Sequence, residues 1–234
     1  MPGIADHYRR GVAAARDPSH GTFLFADIAG YTALTEAHGD EEAAELAATF
    51  CQGVGVLAAK RGGEVVKTIG DAVMLRHPEP AEAVRLGLIA AREVMAGHGF
   101  PTVRVGMHHG PALEREGDWF GATVNLAARV AALAAGGEVL VTKVVRDAAT
   151  GLDGVAFEPR GDRRLRNVSS AVSLFAALPE RHRERDPHID PVCRMVVADG
   201  REAGILRHGG GEYRFCSLEC IGRFAGDPSA YVGD

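Results

Sequence analysis

The stretch TFLFADIAGYTALTE, Thr22 to Glu36, carries the signal from which the fold can be built. Phe23, Leu24 and Phe25 form an uninterrupted apolar run, aromatic and short, as in a buried strand. The run ends on Asp27, a carboxylate that an apolar core cannot hold unpaired. The small residues of AGYTALTE then open a helix. A strand that delivers a charge to a helix start sets free backbone N–H groups beside that charge. Such a place can receive a cation and a phosphate together.

The chain has 234 residues, 46% hydrophobic and 24% charged, enough for one medium domain with an ordinary core plus a small appendage. Its formal net charge of -5 argues against a general nucleic-acid binder. No run approaches the roughly 18 apolar residues of a membrane span, and MPGIADHYRR lacks the apolar stretch of a signal peptide. A cytoplasmic protein with neither a membrane nor a nucleic-acid partner is the expectation. Cys51 stands alone, whereas Cys193, Cys216 and Cys220 gather near the C-terminus. An odd trio without a signal points to metal or thiol chemistry rather than a disulfide framework.

Working outward, residues 6–16 are expected to form a short helix and TFLFADI a buried strand. DEEAAELAATFCQGVGVLAAK reads as a long amphipathic helix behind an Asp40 cap. GEVVKTI and AVMLRH read as strands joined by a tight turn at Gly70-Asp71. PAEAVRLGLIAAREVMAG reads as a helix with proline near its start and glycine at its end. TVRVGMHHG is expected as a strand, GATVNLAARVAALAAGG as a helix and GEVLVTK as a strand. A weaker strand pair, RRLR and VSLFAA, closes the domain near Leu178. This alternation predicts an α+β fold, a mixed sheet with helices packed on it. PERHRERDPHID, charged and without apolar periodicity, is a linker or a charged helix turn. The expected organisation is an N-terminal helical segment at 1–19, a main domain at 20–178, a linker at 179–186 and a cysteine-bearing module at 187–234.

Asp27 ends one strand and Asp71 sits in a turn between two others. Each alone reads as a cap or a turn residue. Neighbouring strand ends can bring them together, and paired carboxylates repel unless a cation lies between them. Oxygen-only ligation of that kind suits Mg²⁺ or Mn²⁺. FADIAGYT, VVKTIGDAVML and GDWFGATVNLAARV resemble, in order and spacing, the signature segments of class III adenylyl/guanylyl cyclases. The resemblance covers roughly residues 20 to 178 and implies a ferredoxin-like mixed sheet with helices packed on it.

It also implies roles, residue by residue. Asp27 and Asp71 match the two metal-binding aspartates, assisted by the backbone carbonyl of Ile28, and Gly30, Tyr31 and Thr32 lie where phosphate is bound. Lys67 and Asp118 match the pair that reads the purine, while Asn125 and Arg129 match the pair that orients the ribose and stabilises the transition state. Adenine offers an acceptor at N1 and a donor at N6, which a lysine and a carboxylate complement; guanine presents the reverse. Asn125 and Arg129 share a helix face at i and i+4, and a planar guanidinium suits charge developing on phosphorus. The family's triphosphate lysine is replaced by Arg166, and the loop NVSSAV lacks the expected proline. The implied reaction closes ATP to cyclic AMP and pyrophosphate with two Mg²⁺ or Mn²⁺ ions, at sites shared by a head-to-tail homodimer. Two other readings stay open: a silent nucleotide-binding dimer, and a metal sensor that uses this fold as scaffold. His108 and His109 point to opposite faces of a strand and read as structural.

DPVCRM, YRFCSLECIGRF and DPSAYV resemble the small YHS and TRASH-type metal modules over roughly residues 187 to 234. That resemblance implies a treble-clef-like fold in which Cys193, Cys216 and Cys220 bind Zn²⁺ or Cu⁺. His188, Asp190 and His208 are candidates for a fourth ligand. Arg194 stands where the pattern has glycine, a position that can demand an unusual backbone angle. Phe215, Phe224 and Tyr231 are expected in the core.

Overall fold

Strict alternation in one strand sorts the molecule into layers. The computed structural model describes residues 19–92, 94, 99–180 and 188–232. In it, strand β1 (Ser19–Ile28) lies between β3 (Ala72–His77) and β4 (Val103–Arg115), antiparallel to both. Adding β2 (Glu64–Ile69), β6 (Val139–Thr142), β7 (Val155–Arg163) and β8 (Val172–Pro179) gives the order β2-β3-β1-β4-β6-β8-β7. Only the β4–β6 pairing in this order is parallel, so the sheet is mixed. The first four strands, with their helices, have the βαββαβ order of a ferredoxin-like unit. A short β5 (Asp118–Phe120) folds back on the end of β4.

Leu24, Ala26 and Ile28 of β1 pack against helix α2 (Asp40–Lys60) and helix α3 (Pro80–Arg92), meeting Phe50, Val54 and Val84. Phe23 points the other way, to Met74, Trp119 and to Val124 and Ala127 of helix α4 (Ala122–Leu133). Both faces of β1 are therefore buried, as its apolar run requires, and each wholly buried Phe contributes about 2–3 kcal/mol. Helix α4 lies so close to β4 that a Cβ on Gly106 would sit 2.0 Å from the backbone N of Ala131; only glycine fits there. By the same alternation, Asp27 and its cross-strand partner Arg104 face the α4 side.

Several expectations need correction. Helix α1 (Tyr31–His38) and α2 are joined by Gly39 alone, at φ 89°, so Gly39 and not Asp40 is the N-cap of α2. Asp40, Glu41 and Glu42 occupy the first turn instead, where acidic side chains suit the helix dipole. The strand before β8 is Val155–Arg163, so RRLR contributes only its first residue. β7 carries a register shift between Pro159 and Gly161, and Asn167 at φ 59° turns the chain after it. Lys143 opens a short helix, α5 (Lys143–Ala148), rather than ending β6. The helix expected at 6–16, the glycine expected to end α3 and most of the charged linker lie outside the described residues. No helix among the described residues is long and apolar enough to cross a membrane.

The C-terminal segment comprises a two-residue pairing of β9 (His188–Ile189) with β10 (Val196–Val197), a hairpin of β11 (Gly204–His208) and β12 (Gly211–Phe215), and helix α6 (Leu218–Gly226). Phe224 is its hub, with ring centroids 5.0 Å from Tyr213, 5.1 Å from Phe215 and 6.2 Å from Tyr231. Val192, Cys193, Met195 and Phe215 share one core with Leu34 and Ala37 of α1 and Ala43 of α2. Backbone bonds from Gly99 N to Val196 O (3.0 Å) and from Val196 N to Phe100 O (2.8 Å) add to the seam.

Candidate active site

Asp27 is the penultimate residue of β1, and its register partner on β3 is Ala72, the residue after Asp71. Gly70, at φ 62°, makes the β2–β3 turn tight enough to present Asp71 there. The two carboxylates come together: burial and the Asp27 charge push Asp71 up to about 6. Arg104 answers part of that charge, its Nε donating to Asp27 Oδ2 at 2.8 Å and its Nη2 to the same oxygen at 2.5 Å. Two carboxylates against one guanidinium leave a net negative, oxygen-lined pocket, which fits a hard divalent cation. The backbone N–H of Ile28 donates to Asp71 O (3.4 Å), tying strand end to turn.

Gly30 follows immediately. At φ 79° it is the N-cap of α1, without any side-chain cap, so the first-turn N–H groups of Tyr31 and Thr32 are offered outward beside the carboxylates. In the sequence Arg194 is marked by its glycine-like position without being brought to this site, and Arg104 is missed. Arg104 reads only as a charge inside a strand. Arg194, from the C-terminal segment, is at φ 66° as its glycine-like position requires, and its Cγ lies 2.7 Å from where a Cβ on Gly30 would be.

Lys67 and Asp118 also meet. Lys67 pairs in register with Met74, which pairs with Phe25, placing Lys67 on the α4 face of the sheet. β5 crosses that face, with Trp119 5.6 Å from Phe23 and under the Arg76 guanidinium at 4.4 Å. Asp118 Oδ2 there accepts from Lys67 Nζ at 2.6 Å, and its Oδ1 accepts from the Trp119 N–H at 2.7 Å. The Lys67 bond holds the Asp118 carboxyl below the usual carboxylate range. Both partners keep a solvent-facing side, so the pair is a preformed donor and acceptor.

Asn125 is exposed and Arg129 half-buried, one turn apart on α4, and neither side chain has a hydrogen-bond partner among the described residues. The helix starts over Gly110, where Thr123 crowds, and ends over Gly106. Asp27 and Arg104 thus lie past the C-terminal end of α4, whereas Asn125 sits in its first turn, and a helix of 12 residues is about 18 Å long. The two groups lie on one face of the sheet, at opposite ends of α4. Arg166 is on an exposed turn after β7, the sheet edge opposite β2, and the fold does not bring it to the carboxylates. His108 bonds Thr142 (2.8 Å) and His109 bonds Thr22 (2.9 Å), so they serve separate strands; burial lowers His108 to about 4 and His109 in the same direction.

Residues 15–175 match the family described as the adenylate and guanylate cyclase catalytic domain. The chain belongs to that family. It is 41% identical over 157 residues to a pH-sensitive adenylate cyclase of Mycobacterium tuberculosis, covering 66% of this chain and 39% of that protein. It is 38% identical over 117 residues to an adenylate cyclase of Streptomyces coelicolor, covering 50% of this chain and 31% of that protein. The chain thus spans well under half the length of these relatives. The fold of this cyclase domain is similar to that of the adenylyl cyclase CyaB from P. aeruginosa, with a TM-score of 0.62 at 20% identity, covering 73% of this chain and 99% of that one. An adenylate cyclase from Trypanosoma brucei gives 0.62 at 25% identity, covering 71% and 91%.

The family match ends before the cysteine-bearing segment, where Cys193, Cys216 and Cys220 converge: Cys216 Sγ lies 3.4 Å from Cys193 Sγ and 3.8 Å from Cys220 Sγ. None of the three candidates for a fourth ligand joins them. Asp190 is buried but spends its oxygens on backbone N–H groups, Oδ1 accepting from Val192 (2.8 Å) and Oδ2 from Cys216 (2.8 Å). His188 pairs with Asp199 at 3.3 Å, and the His208 ring packs edge-on to Phe224 at 6.1 Å.

Proposed function

We propose that the chain is an adenylate cyclase that closes ATP to 3′,5′-cyclic AMP and pyrophosphate at sites shared between two copies of itself. The observation that carries this reading is the apposition of Asp27 and Asp71 at the head of the Gly30 turn. Asp27, Asp71 and the Ile28 carbonyl would hold two Mg²⁺ or Mn²⁺ ions, whose chemistry is to activate the ribose 3′ hydroxyl and neutralise the phosphates. Arg104 keeps one Asp27 oxygen occupied and leaves the other for a metal. The N–H groups at Gly30, Tyr31 and Thr32 bind phosphate. The second copy supplies Lys67 to adenine N1, Asp118 to N6, Asn125 to the ribose and Arg129 to the charge growing on phosphorus, with Arg166 reaching the triphosphate. Residues 20–178 form the catalytic domain and 179–186 the linker. Residues 187–234 form a treble-clef-like metal module of the YHS or TRASH type, taking Zn²⁺ or Cu⁺.

The test is direct. The purified chain, given ATP with Mn²⁺ or Mg²⁺, should release cyclic AMP and pyrophosphate in equal amounts, and given GTP it should release far less cyclic GMP. ATP binding by a folded dimer without product would instead favour the silent nucleotide-binding reading. Purine choice has its own test. Asp118→Ala should lower kcat/KM for ATP about 100-fold, because a hydrogen bond to the N6 group is lost, while GTP turnover changes far less. Equal losses with both nucleotides would remove Asp118 from purine reading.

The raised Asp71 carboxyl sets a pH signature. Protons compete with the metal below about 6, so Mn²⁺ affinity measured by calorimetry should fall by up to about tenfold per pH unit below that point and level off above it. The sign for stability is opposite to that of a salt-bridged aspartate. Between about 4 and 6 the folded, metal-free chain keeps a proton that the unfolded chain has released, so this group's contribution to stability falls as pH rises through that window. Saturating Mn²⁺ should abolish that slope in Tm.

A further inference from the structure

We infer that His38, at the end of helix α1 in the cyclase domain, is the fourth ligand of a zinc centre whose other three ligands are Cys193, Cys216 and Cys220, so that a metal bolts the C-terminal segment onto the helix that begins at the phosphate turn. The inference rests on reading that segment as a metal module and is independent of the cyclase activity. One ligand atom from each of the four residues lies within 4.8 Å of all the others. Cys216 Sγ is 3.7 Å from His38 Nε2, beside its 3.4 Å and 3.8 Å approaches to Cys193 and Cys220. A tetrahedron with Zn–S near 2.3 Å and Zn–N near 2.05 Å has S···S edges of about 3.8 Å and S···N edges of about 3.6 Å. The three edges at Cys216 are close to those lengths.

The surroundings fit a ligating imidazole. His38 Nδ1 faces Glu42 Oε1 at 3.5 Å, one turn on across Gly39, and the side chain is only 13% exposed. A carboxylate on the far ring nitrogen fixes the tautomer that leaves Nε2 free for a metal. The thiols are oriented by backbone bonds: the Cys216 N–H donates to Asp190 Oδ2 at 2.8 Å and the Cys220 N–H to Ser217 Oγ at 3.1 Å. Three sulfurs and one imidazole are borderline-soft donors, which favours Zn²⁺ over the oxygen-loving ions of the Asp27 pocket.

The placement gives the metal something to hold. Leu34 and Ala37, on the same helix as His38, are buried in the core shared with the C-terminal segment. At the other end of this 8-residue helix, Arg194 presses on Gly30. The segment therefore clasps α1 at both ends, and zinc closes the clasp at one of them.

X-ray absorption of the zinc-loaded wild-type chain should count three sulfur neighbours and one nitrogen, with about one zinc per chain by elemental analysis. Co²⁺-loaded protein should show tetrahedral d–d bands that shift in His38→Cys as a fourth thiolate charge-transfer contribution appears. His38→Ala should weaken zinc binding at least about 100-fold, and Glu42→Gln about tenfold. A wild-type chain that binds zinc through sulfur alone, with His38→Ala unchanged in affinity and cobalt spectrum, would overturn the role of His38 and leave the metal module standing. A chain that takes up no zinc, or that holds a Cys193–Cys216 disulfide by mass, would overturn both. Preferential retention of Cu⁺ in direct competition would overturn the assignment of zinc.

Discussion

Asp71→Asn is expected to lower kcat for cyclic AMP formation at least about 10³-fold, equivalent to about 4 kcal/mol of barrier. On the proposed mechanism the pocket at the head of α1 loses half of its carboxylate charge, and asparagine cannot restore it. The loss should not come from unfolding. Burial, and after it the neighbouring Asp27 charge, push Asp71 up to about 6, so the neutral amide removes a desolvation cost and a repulsion. Metal-free Asp71→Asn should therefore melt at the same temperature as the wild type or slightly higher at pH 7, a trade of stability for function common at active sites. A variant that retains more than a tenth of wild-type kcat at saturating Mn²⁺ would remove Asp71 from the chemistry.

Arg129→Ala is expected to cost about 10²–10³-fold in kcat with little change in KM, as for one donor aimed at charge that develops only in the transition state. The half-buried guanidinium has no hydrogen-bond partner among the described residues, so its removal leaves no orphan within the chain. Because Asp27 and Asp71 lie past one end of α4 while Asn125 lies at the other, a shared site makes a quantitative demand on mixtures. Equal amounts of Asp71→Asn and Arg129→Ala chains form about half mixed dimers, each with one intact site of two. Activity should return to about a quarter of wild type. Mixtures that stay as inactive as either parent, while mixed dimers are seen by mass spectrometry, would show that each chain works alone.

Much of this architecture is legible in the residues themselves. The apolar run at Phe23–Phe25 reads as a buried strand, and Leu24 and Phe23 pack to opposite layers. Local chemistry also marked Gly70-Asp71 as a turn, and the resemblance of DPVCRM to the small metal modules marked Arg194 as standing where glycine is usual, at φ 66°. The errors share one cause. Asp40 looks like a cap by composition, but Gly39 must serve two helix ends at once, which leaves the cap to a residue without a side chain. RRLR reads as a strand, yet pairing with β8 ends at Arg163, and the chain turns through Asn167 at φ 59°.

What the order of residues determined here is periodicity and turn chemistry, because both act within a few positions of the chain: the strands and helices around Asp27, the Gly30 helix start, and the set of thiols. What only the tertiary structure decided is which charges and ligands meet across the chain. Arg104 reaches Asp27 because β4 runs beside β1, and Lys67 reaches Asp118 because β5 folds over the sheet. His38 reaches Cys216 because the C-terminal segment buries its apolar face on α1. Burial of that face is a bulk property that many partners could satisfy, and only the packed shape selects the one that places an imidazole beside three sulfurs.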